Sequence, residues 1–170
     1  MRLPTITLAA LLGGLSPSVA PAAASSLVLL EPELESDVGD IARLDDWRRR
    51  LDLVEARIAD GLAAQDVYRI LDKAPARDLV ERYRGQAEVH SCGPCVVTLA
   101  KRLDADRALS VWVFRMSNLV LGLHAVLRDG KTGEILYGRT LSFRGDNDRA
   151  WTRAVDYLVR DIAAIPPDRR

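Results

Sequence analysis

The chain has two cysteines, and both belong to the sequence Cys-Gly-Pro-Cys at residues 92–95. Two thiols this close can form a disulfide, act as a redox pair or contribute to a metal site. Pro94 suits the first turn of a helix, where free amide donors and the helix dipole stabilise a thiolate. A disulfide across so short a loop adds little stability through chain entropy, but it holds the entry of the helix in place. We predict a structural disulfide between Cys92 and Cys95, with a redox role as the alternative.

A metal site is a further alternative, because His90 extends the pair to the series His-x-Cys-x-x-Cys. Structural zinc requires four ligands, and His124 is the one other imidazole or thiol in the sequence. We therefore predict no metal, and we expect His124, on an apolar strand, to be hydrogen-bonded and inert. Haem attachment is excluded, since Val96 stands where the haem motif has histidine. A thioredoxin fold is not expected, because no proline between residues 95 and 165 can supply its cis-proline.

Further polar residues fall at the predicted end of a strand and at the start of the last helix. Ser117 and Asn118 interrupt two apolar strands and predict a turn. Carboxylates near the start of a helix cap it and complement its dipole. No base is partnered with Ser117, so hydrolysis is not expected. We predict no catalytic residue and no cofactor. The candidate surface for a partner or ligand comprises Ser117, Asn118, Arg144, Asp148 and Trp151.

Residues 1–24 have the pattern of a secretory signal peptide. Arg2 precedes an apolar run at residues 6–15, and small residues at 20–24 provide a cleavage motif that ends at Ala24. The apolar run is shorter than the roughly 20 residues that span a bilayer, so no lasting membrane anchor is expected. No cysteine lies near the junction for lipid attachment. We predict a periplasmic protein whose mature chain, residues 25–170, forms one domain.

The charge balance excludes a nucleic-acid-binding role. The chain has 24 basic and 24 acidic residues, and cleavage removes one basic side chain, that of Arg2. The mature protein is therefore close to neutral and has no basic excess to attract phosphates. The mature chain keeps 146 of the 170 residues, which is enough to form one hydrophobic core without the help of a disulfide.

Hydrophobic periodicity predicts an α/β (α+β) fold with a single mixed sheet of about five strands and helices packed on it. We expect the acidic segment 33–40 to be a loop and Arg48, Arg49 and Arg50 to form a solvated helix face. Trp112 lies on a strand that is apolar on both faces, so we expect its ring in the core. The predicted elements are, in order, a strand at 27–30, a helix at 44–62, a strand at 67–71, helices at 75–83 and 96–103, three strands at 109–114, 119–127 and 135–143, and a helix at 151–162.

Two turn signals accompany the last three elements. Residues 129–133, Asp-Gly-Lys-Thr-Gly, predict a hairpin loop that tolerates positive φ. The final helix has Asp146 or Asn147 as its predicted N-cap, and Pro166 with Pro167 ends it.

Several stretches of the mature chain carry a resemblance to known proteins: Cys92-x-x-Cys95, Ala105-Asp106, residues 115–121, the hairpin at 128–133 and residues 143–151. Together they resemble a family of small exported bacterial proteins of unknown function. The resemblance covers most of the mature chain, although Asp146 and Asn147 depart from the Asn-then-hydroxyl pair expected there. Members often occur near quinoprotein alcohol dehydrogenases, which implies support of a periplasmic alcohol-oxidation system.

The order of elements is also similar to the periplasmic α/β modules of curli secretion and of the TolB N-terminal domain. Such modules bind or assemble and do not catalyse, but this likeness is at the level of the fold. The sequence therefore predicts a soluble periplasmic accessory protein, not an enzyme, that binds another protein or a small ligand. The alternative is a thiol–disulfide redox or electron-transfer helper that uses Cys92 and Cys95.

Overall fold

The computed structural model describes residues 24–35, 43–84, 88–117 and 119–166. Two short 3₁₀ turns, Ala74–Ala76 and Val89–Ser91, precede the second and third helices. The other elements, in chain order, are β1 (Ser25–Leu29), β2 (Glu33–Glu35), α1 (Leu44–Ala63), β3 (Tyr68–Ile70), α2 (Arg77–Arg84), α3 (Gly93–Arg102), β4 (Arg107–Arg115), β5 (Val120–Asp129), β6 (Ile135–Arg144) and α4 (Asp148–Ala163).

The strands form one mixed sheet in the order β3-β1-β4-β5-β6, with β2 paired to β4 as a sixth strand. Pairings of β1 with β3 and β4 are parallel, and β4, β5 and β6 form an antiparallel meander. The predicted mixed sheet with packed helices is confirmed. Gly133, in the predicted hairpin loop between β5 and β6, has φ +80°, which glycine adopts without strain.

One predicted loop is in part a strand. Residues 33–35 form β2, which pairs in parallel with β4 from Trp112 to Phe114. Leu34 packs against the main core, so the pattern Glu-Leu-Glu places one apolar side chain inward and two carboxylates outward from it. Residues 36–40 of the same predicted loop lie outside the described residues.

Helices α1 and α4 cover one face of the sheet, here called the first face. Each helix presents a stripe of apolar residues at steps of three or four, as the sequence periodicity predicted. Gly61 of α1 lies so close to α4 that a Cβ there would be 2.9 Å from Val159 Cγ1. The larger of the two core clusters lies between these helices and the sheet, and its largest members include Leu27, Ile58, Leu62, Leu109, Leu123, Leu127, Trp151, Leu158 and Ile162.

Helices α2 and α3 lie on the opposite, second face, but only near β1 and the start of β4. A smaller core cluster there contains Val28 of β1, Leu30 directly after β1, Ala108 of β4, and Val96 and Leu99 of α3. Because strand side chains alternate between faces, the rest of the second face continues along β4, β5 and β6. Toward β6 that face is exposed at Thr140 and Ser142.

The carboxylate of Asp146 joins α1 to the start of α4. One carboxylate oxygen accepts hydrogen bonds from Trp47 Nε1 at 2.9 Å and Arg43 Nη1 at 3.0 Å. The other accepts from Arg50 Nη1 at 3.0 Å and Trp151 Nε1 at 3.1 Å. Four donors thus satisfy one largely buried carboxylate, and each indole finds a partner for its N–H. We call these five residues the Asp146 cluster.

The prediction that all three arginines at 48–50 form a solvated face is wrong for Arg50. This residue is 8% exposed, because its guanidinium lies between the carboxylates of Asp146 and Asp148, with its Nε donating to Asp148 at 2.9 Å. Hydrogen bonds from Arg49 and Arg50 lower the pKa of the Asp148 carboxyl. Asn147, one of the two predicted caps, is the N-cap of α4 and accepts from its backbone at 3.0 Å.

We expect Asp146→Ala to lower the free energy of unfolding by about 2–4 kcal/mol, because the buried guanidinium of Arg50 loses one of its two carboxylate partners and keeps Asp148 alone. Two indole N–H groups lose their acceptor in the same variant. Asp156→Ala is the matched control, since it removes a more exposed pair with Arg57 and should cost about 0–1 kcal/mol. Urea unfolding of both variants checks the difference, and equal losses would contradict the role given to Asp146.

Candidate functional site

Four residues form a row across the second face of the sheet. Glu33 of β2 pairs with Trp112 of β4, Trp112 with His124 of β5, and His124 with Thr140 of β6. Directly paired residues on neighbouring strands present their side chains to the same face, so these four groups are neighbours. The row gathers a carboxylate, an indole, an imidazole and a hydroxyl from positions separated by up to 107 residues.

The 3₁₀ turn Val89–Ser91 places His90 over this row. The His90 ring stacks on Trp112 with centroids 4.4 Å apart, and the His124 ring stacks on Trp112 at 4.1 Å. Trp112 therefore lies between two imidazoles and is half-buried, whereas the sequence predicted it in the core. No helix packs on the sheet at this point within the described residues, so the two histidines cover the indole instead. We call His90, Trp112 and His124 the ring stack.

Both imidazoles of the ring stack are held by polar neighbours. The Glu33 carboxylate contacts His90 Nδ1 and accepts from the backbone N–H groups of Val89 at 3.1 Å and His90 at 3.3 Å. His124 Nδ1 lies 2.6 Å from Thr140 Oγ1. The predicted hydrogen-bonded state of His124 is thus confirmed. Burial, and secondarily the charge of His90, lower the pKa of the His124 imidazole.

The His124–Thr140 contact resembles a base beside a hydroxyl nucleophile, but His124 has no group among the described residues that would orient it as a base. In nucleophilic sites a third group orients the base. Among the described residues no carboxylate or other acceptor is bonded to the second nitrogen of His124. The contact therefore favours a structural role.

Cys92 and Cys95 form a disulfide at the start of α3. The Cys95 backbone N–H donates to Cys92 Sγ at 3.2 Å, so the sulfur caps α3, which has Pro94 in its first turn. Both cysteines are half-buried, and His90 lies two residues before the first. His90 is directed to Glu33 and Trp112, and the described residues contain no group of three His, Cys, Asp or Glu side chains suited to a metal ion.

Of the residues of the predicted surface site that the structure describes, Ser117, Arg144 and Asp148 are exposed and Trp151 is buried. Ser117 is exposed in the β4–β5 turn, where its Oγ accepts from Val120 N at 3.2 Å. Asn118 lies outside the described residues. Arg144 is exposed at the end of β6, and Asp148, at the start of α4, is held by Arg49 and Arg50.

Trp151 corrects the prediction most clearly, because it is a core residue and not a surface one. Its side chain is 1% exposed. Position 151 shares the inward face of α4 with Val155, Leu158 and Ile162. Its indole N–H is taken by Asp146. A direct contact of this ring with a partner is therefore excluded.

Sequence reasoning missed a groove between β6 and α4. β6 is an edge strand of ten residues, and α4 runs beside its free side across an open groove of about 360 Å³. We call this the β6–α4 groove. Its lining residues are Leu141, Ser142, Phe143, Arg144, Ala150, Arg153, Ala154 and Tyr157. The alternation of β6 could have indicated a half-buried strand, but nothing local in it shows that the strand ends the sheet.

A smaller and partly open cavity lies under α2 and α3. It measures about 20 Å³ and is mostly apolar, with Val28, Leu30, Val89 and Leu99 among its lining residues. This volume holds at most about one water molecule. It is too small for a ligand.

Within the described part of the chain, no helix has the length and apolar character needed to cross a membrane. The larger helices are amphipathic and bury one face each against the sheet.

The fold is a mixed α/β sheet with helices on both faces and an open edge. The family model DUF3280, described as "Protein of unknown function (DUF2380)", matches residues 25–162. The chain belongs to this family. None of the curated proteins matches it.

Solved structures share the fold at low sequence identity. Lipoprotein GNA1162 from Neisseria meningitidis is 18% identical, with 82% of this chain and 97% of that chain covered and a TM-score of 0.50. The hypothetical protein CT253 from Chlamydia trachomatis is 9% identical, with 83% and 97% covered and a TM-score of 0.53. The LpoB C-terminal domain from Salmonella enterica is 12% identical, with 73% and 85% covered and a TM-score of 0.46. The first two establish the fold, and none of the three concerns alcohol dehydrogenases.

We expect His124 to make stability depend on pH. Its native pKa is below the ordinary value of 6.5, so the unfolded chain binds the proton more readily. As the pH falls below 6.5 the native state therefore loses stability, until His124 is protonated in both states. Urea unfolding at several values from about pH 5 to 7.5 measures this slope.

His124→Gln is the control, because it keeps a polar group at the position and cannot titrate. Its pH slope in the same window should be smaller than that of the unaltered protein. Asp106 and Asp129 also have lowered pKa values, but these carboxyls change the stability only near and below their ordinary pKa of 3.8, which lies outside this pH window. Identical slopes in the two proteins would rule out His124 as the titrating group.

Proposed function

We propose that this protein is an exported accessory protein of the cell envelope that binds another protein and catalyses no reaction. The observation that carries the proposal is the ten-residue edge strand β6, whose outer side, beside the β6–α4 groove, pairs with no other strand among the described residues. Unpaired strand edges bind extended segments of other chains through main-chain hydrogen bonds.

Three features support export. Residues 1–24 have the three-part pattern of a signal peptide. The family match begins at residue 25, directly after the predicted cleavage site. The disulfide between Cys92 and Cys95 is of a kind that persists in oxidising compartments.

Binding is favoured over catalysis because the carboxylates and imidazoles that could act as acids or bases are already bonded to other residues of the fold. Asp146 and Asp148 neutralise arginines of α1. His90 and His124 are stacked on Trp112 and hydrogen-bonded. What the fold leaves available is main chain and apolar or cationic surface, which suits recognition of a protein better than turnover of a substrate.

The second candidate function is thiol–disulfide exchange by Cys92 and Cys95. Its supporting observation is the place of the pair at the N-terminus of α3, where a released thiolate would meet free amide donors and the helix dipole. A reduction potential in the range of known oxidoreductases would favour this function. The link with alcohol oxidation stays a prediction from the family resemblance.

A photo-crosslinking amino acid in the β6–α4 groove should capture a protein partner in cells that produce this protein. We expect a crosslinked band with the probe at Ser142 or Arg153, because both line the groove. The matched control places the probe at Asp78, an exposed position on α2 at a distance from the groove. Equal capture at Asp78, or none at either groove position, would contradict the proposed binding surface.

Replacing Cys92 and Cys95 with serine separates the two candidate functions. The disulfide closes a loop of sequence separation 3, so its loss should cost about 2 kcal/mol of unfolding free energy or less. Capture at Ser142 should persist in the double variant, measured under conditions in which it stays folded. Capture lost from the folded double variant would favour a function that depends on the thiols. Mass spectrometry of the exported protein should show Ser25 as the first residue and two fewer hydrogens on the sulfurs.

A further inference from the structure

The direction of the backbone groups on β6 can be read from one hydrogen bond. Gly145 N donates to Leu119 O at 3.1 Å, and the two residues continue the antiparallel β5–β6 register. In an antiparallel pair, hydrogen-bonded and non-hydrogen-bonded positions alternate. Thr140, Ser142 and Arg144 are therefore at non-hydrogen-bonded positions, and their N–H and C=O groups point away from β5, toward the open edge.

The groove beside this edge has room for the side chains of one added strand. Ala150 and Ala154 present small side chains on α4, and Leu141 and Phe143 of β6 point to the same, first face. Tyr157, at 43% exposure, forms one wall. A strand added to β6 would direct every second side chain into this space.

The surroundings of the groove carry unpaired positive charge. Arg144 and Arg153 line it, and Arg149 lies one helical turn before Arg153 on the same side of α4. Within the described residues these three guanidiniums have no carboxylate partner or hydrogen-bond acceptor. The arginines of α1 and of its N-cap position differ, since each of them contacts a carboxylate: Arg43, Arg48, Arg49, Arg50 and Arg57.

We propose that the open edge of β6 and the β6–α4 groove bind an extended acidic segment of a partner protein as an added strand. Main-chain hydrogen bonds would form with Thr140, Ser142 and Arg144. Carboxylates on alternate residues of the added strand would pair with Arg153 and Arg149. This inference rests on the proposed function, that the protein binds another protein, and adds the site and the chemistry of the partner.

A second copy of this chain is a poorer occupant than an acidic segment. Pairing of β6 with β6 about a two-fold axis would bring the same arginine-rich surface together from both copies. Like charges that face each other across paired strands are destabilising. The charge at the groove thus selects against self-association and for carboxylates.

Fluorescence anisotropy with the purified protein and a labelled seven-residue peptide of alternating Glu and Thr tests the proposal. The same peptide with Gln in place of Glu is the control for charge. We expect its affinity to be at least about tenfold lower than that of the Glu peptide. Arg153→Gln should weaken binding of the acidic peptide at least about threefold, because one charge-assisted contact is lost. Arg82→Gln, at an exposed position on α2, should leave the affinity unchanged.

Proline at position 142 tests the main-chain contacts. Ser142→Pro removes an outward-facing amide donor and no β5–β6 hydrogen bond, so it should abolish binding of the acidic peptide. Ser142→Ala keeps that donor and should bind as the unaltered protein does. N-methylation of alternate amides along one edge of the peptide blocks the same hydrogen bonds without a change in the protein. This peptide should not bind, and the result does not depend on whether Ser142→Pro folds.

Three outcomes would overturn the proposal. These are equal affinity for the Glu and Gln peptides, full binding by Ser142→Pro with undiminished binding of the N-methylated peptide, and dimers of the free protein that the acidic peptide does not dissociate. Crosslinking at Ser142 in cells, combined with no affinity for the acidic peptide, would reject the acidic segment while the proposed function stands. Absence of crosslinking in cells together with tight binding of the acidic peptide would reject the proposed function, while the affinity of the groove for an acidic segment stands.

Discussion

The carboxylate of Asp146 accepts hydrogen bonds from both tryptophans of the α1–α4 interface and from a buried arginine. It lies in the short connection between β6 and α4, so it sets the point at which α4 starts and the direction in which it runs back over the sheet. A buried charge needs its partners, and indole N–H groups need acceptors. The fold therefore depends on these donors and this acceptor meeting when the helices pack.

The position of α4 has consequences for both faces of the sheet. With α1 and α4 on the first face, the apolar positions of β4 and β5 are buried there, and those of β6 are half-buried. The smaller helices lie over β1 and the start of β4 on the second face, and beyond them Trp112 is covered by two imidazoles. Within the described residues no strand pairs with the outer side of β6, next to α4. A main-chain edge, small apolar residues and guanidiniums that have no partner among the described residues meet at this place, and the proposed binding of an extended chain rests on that combination.

Much of the fold was predictable because it depends on local patterns. The period of three to four residues in α1 and α4, and the apolar strands joined by the Asp-Gly-Lys-Thr-Gly hairpin loop, are properties of neighbouring residues. The place of Pro94 in the first turn of α3 and that of Asn147 as the N-cap of α4 are equally local. β2 escaped prediction, since three residues with one apolar side chain become a strand only because β4 offers a free edge beside them.

The sequence by itself determined the helices and longer strands, the pairing of its two cysteines and the near-neutral charge. The tertiary structure decided the partners of the polar and aromatic residues. Arg50 looked solvated among arginines and Trp151 looked available at a helix start, yet both are buried through contacts with Asp146. Arg50 meets this carboxylate across 96 residues, and Glu33 meets His90 across 57. Such contacts depend on which helix covers which part of the sheet, and no local periodicity contains that information.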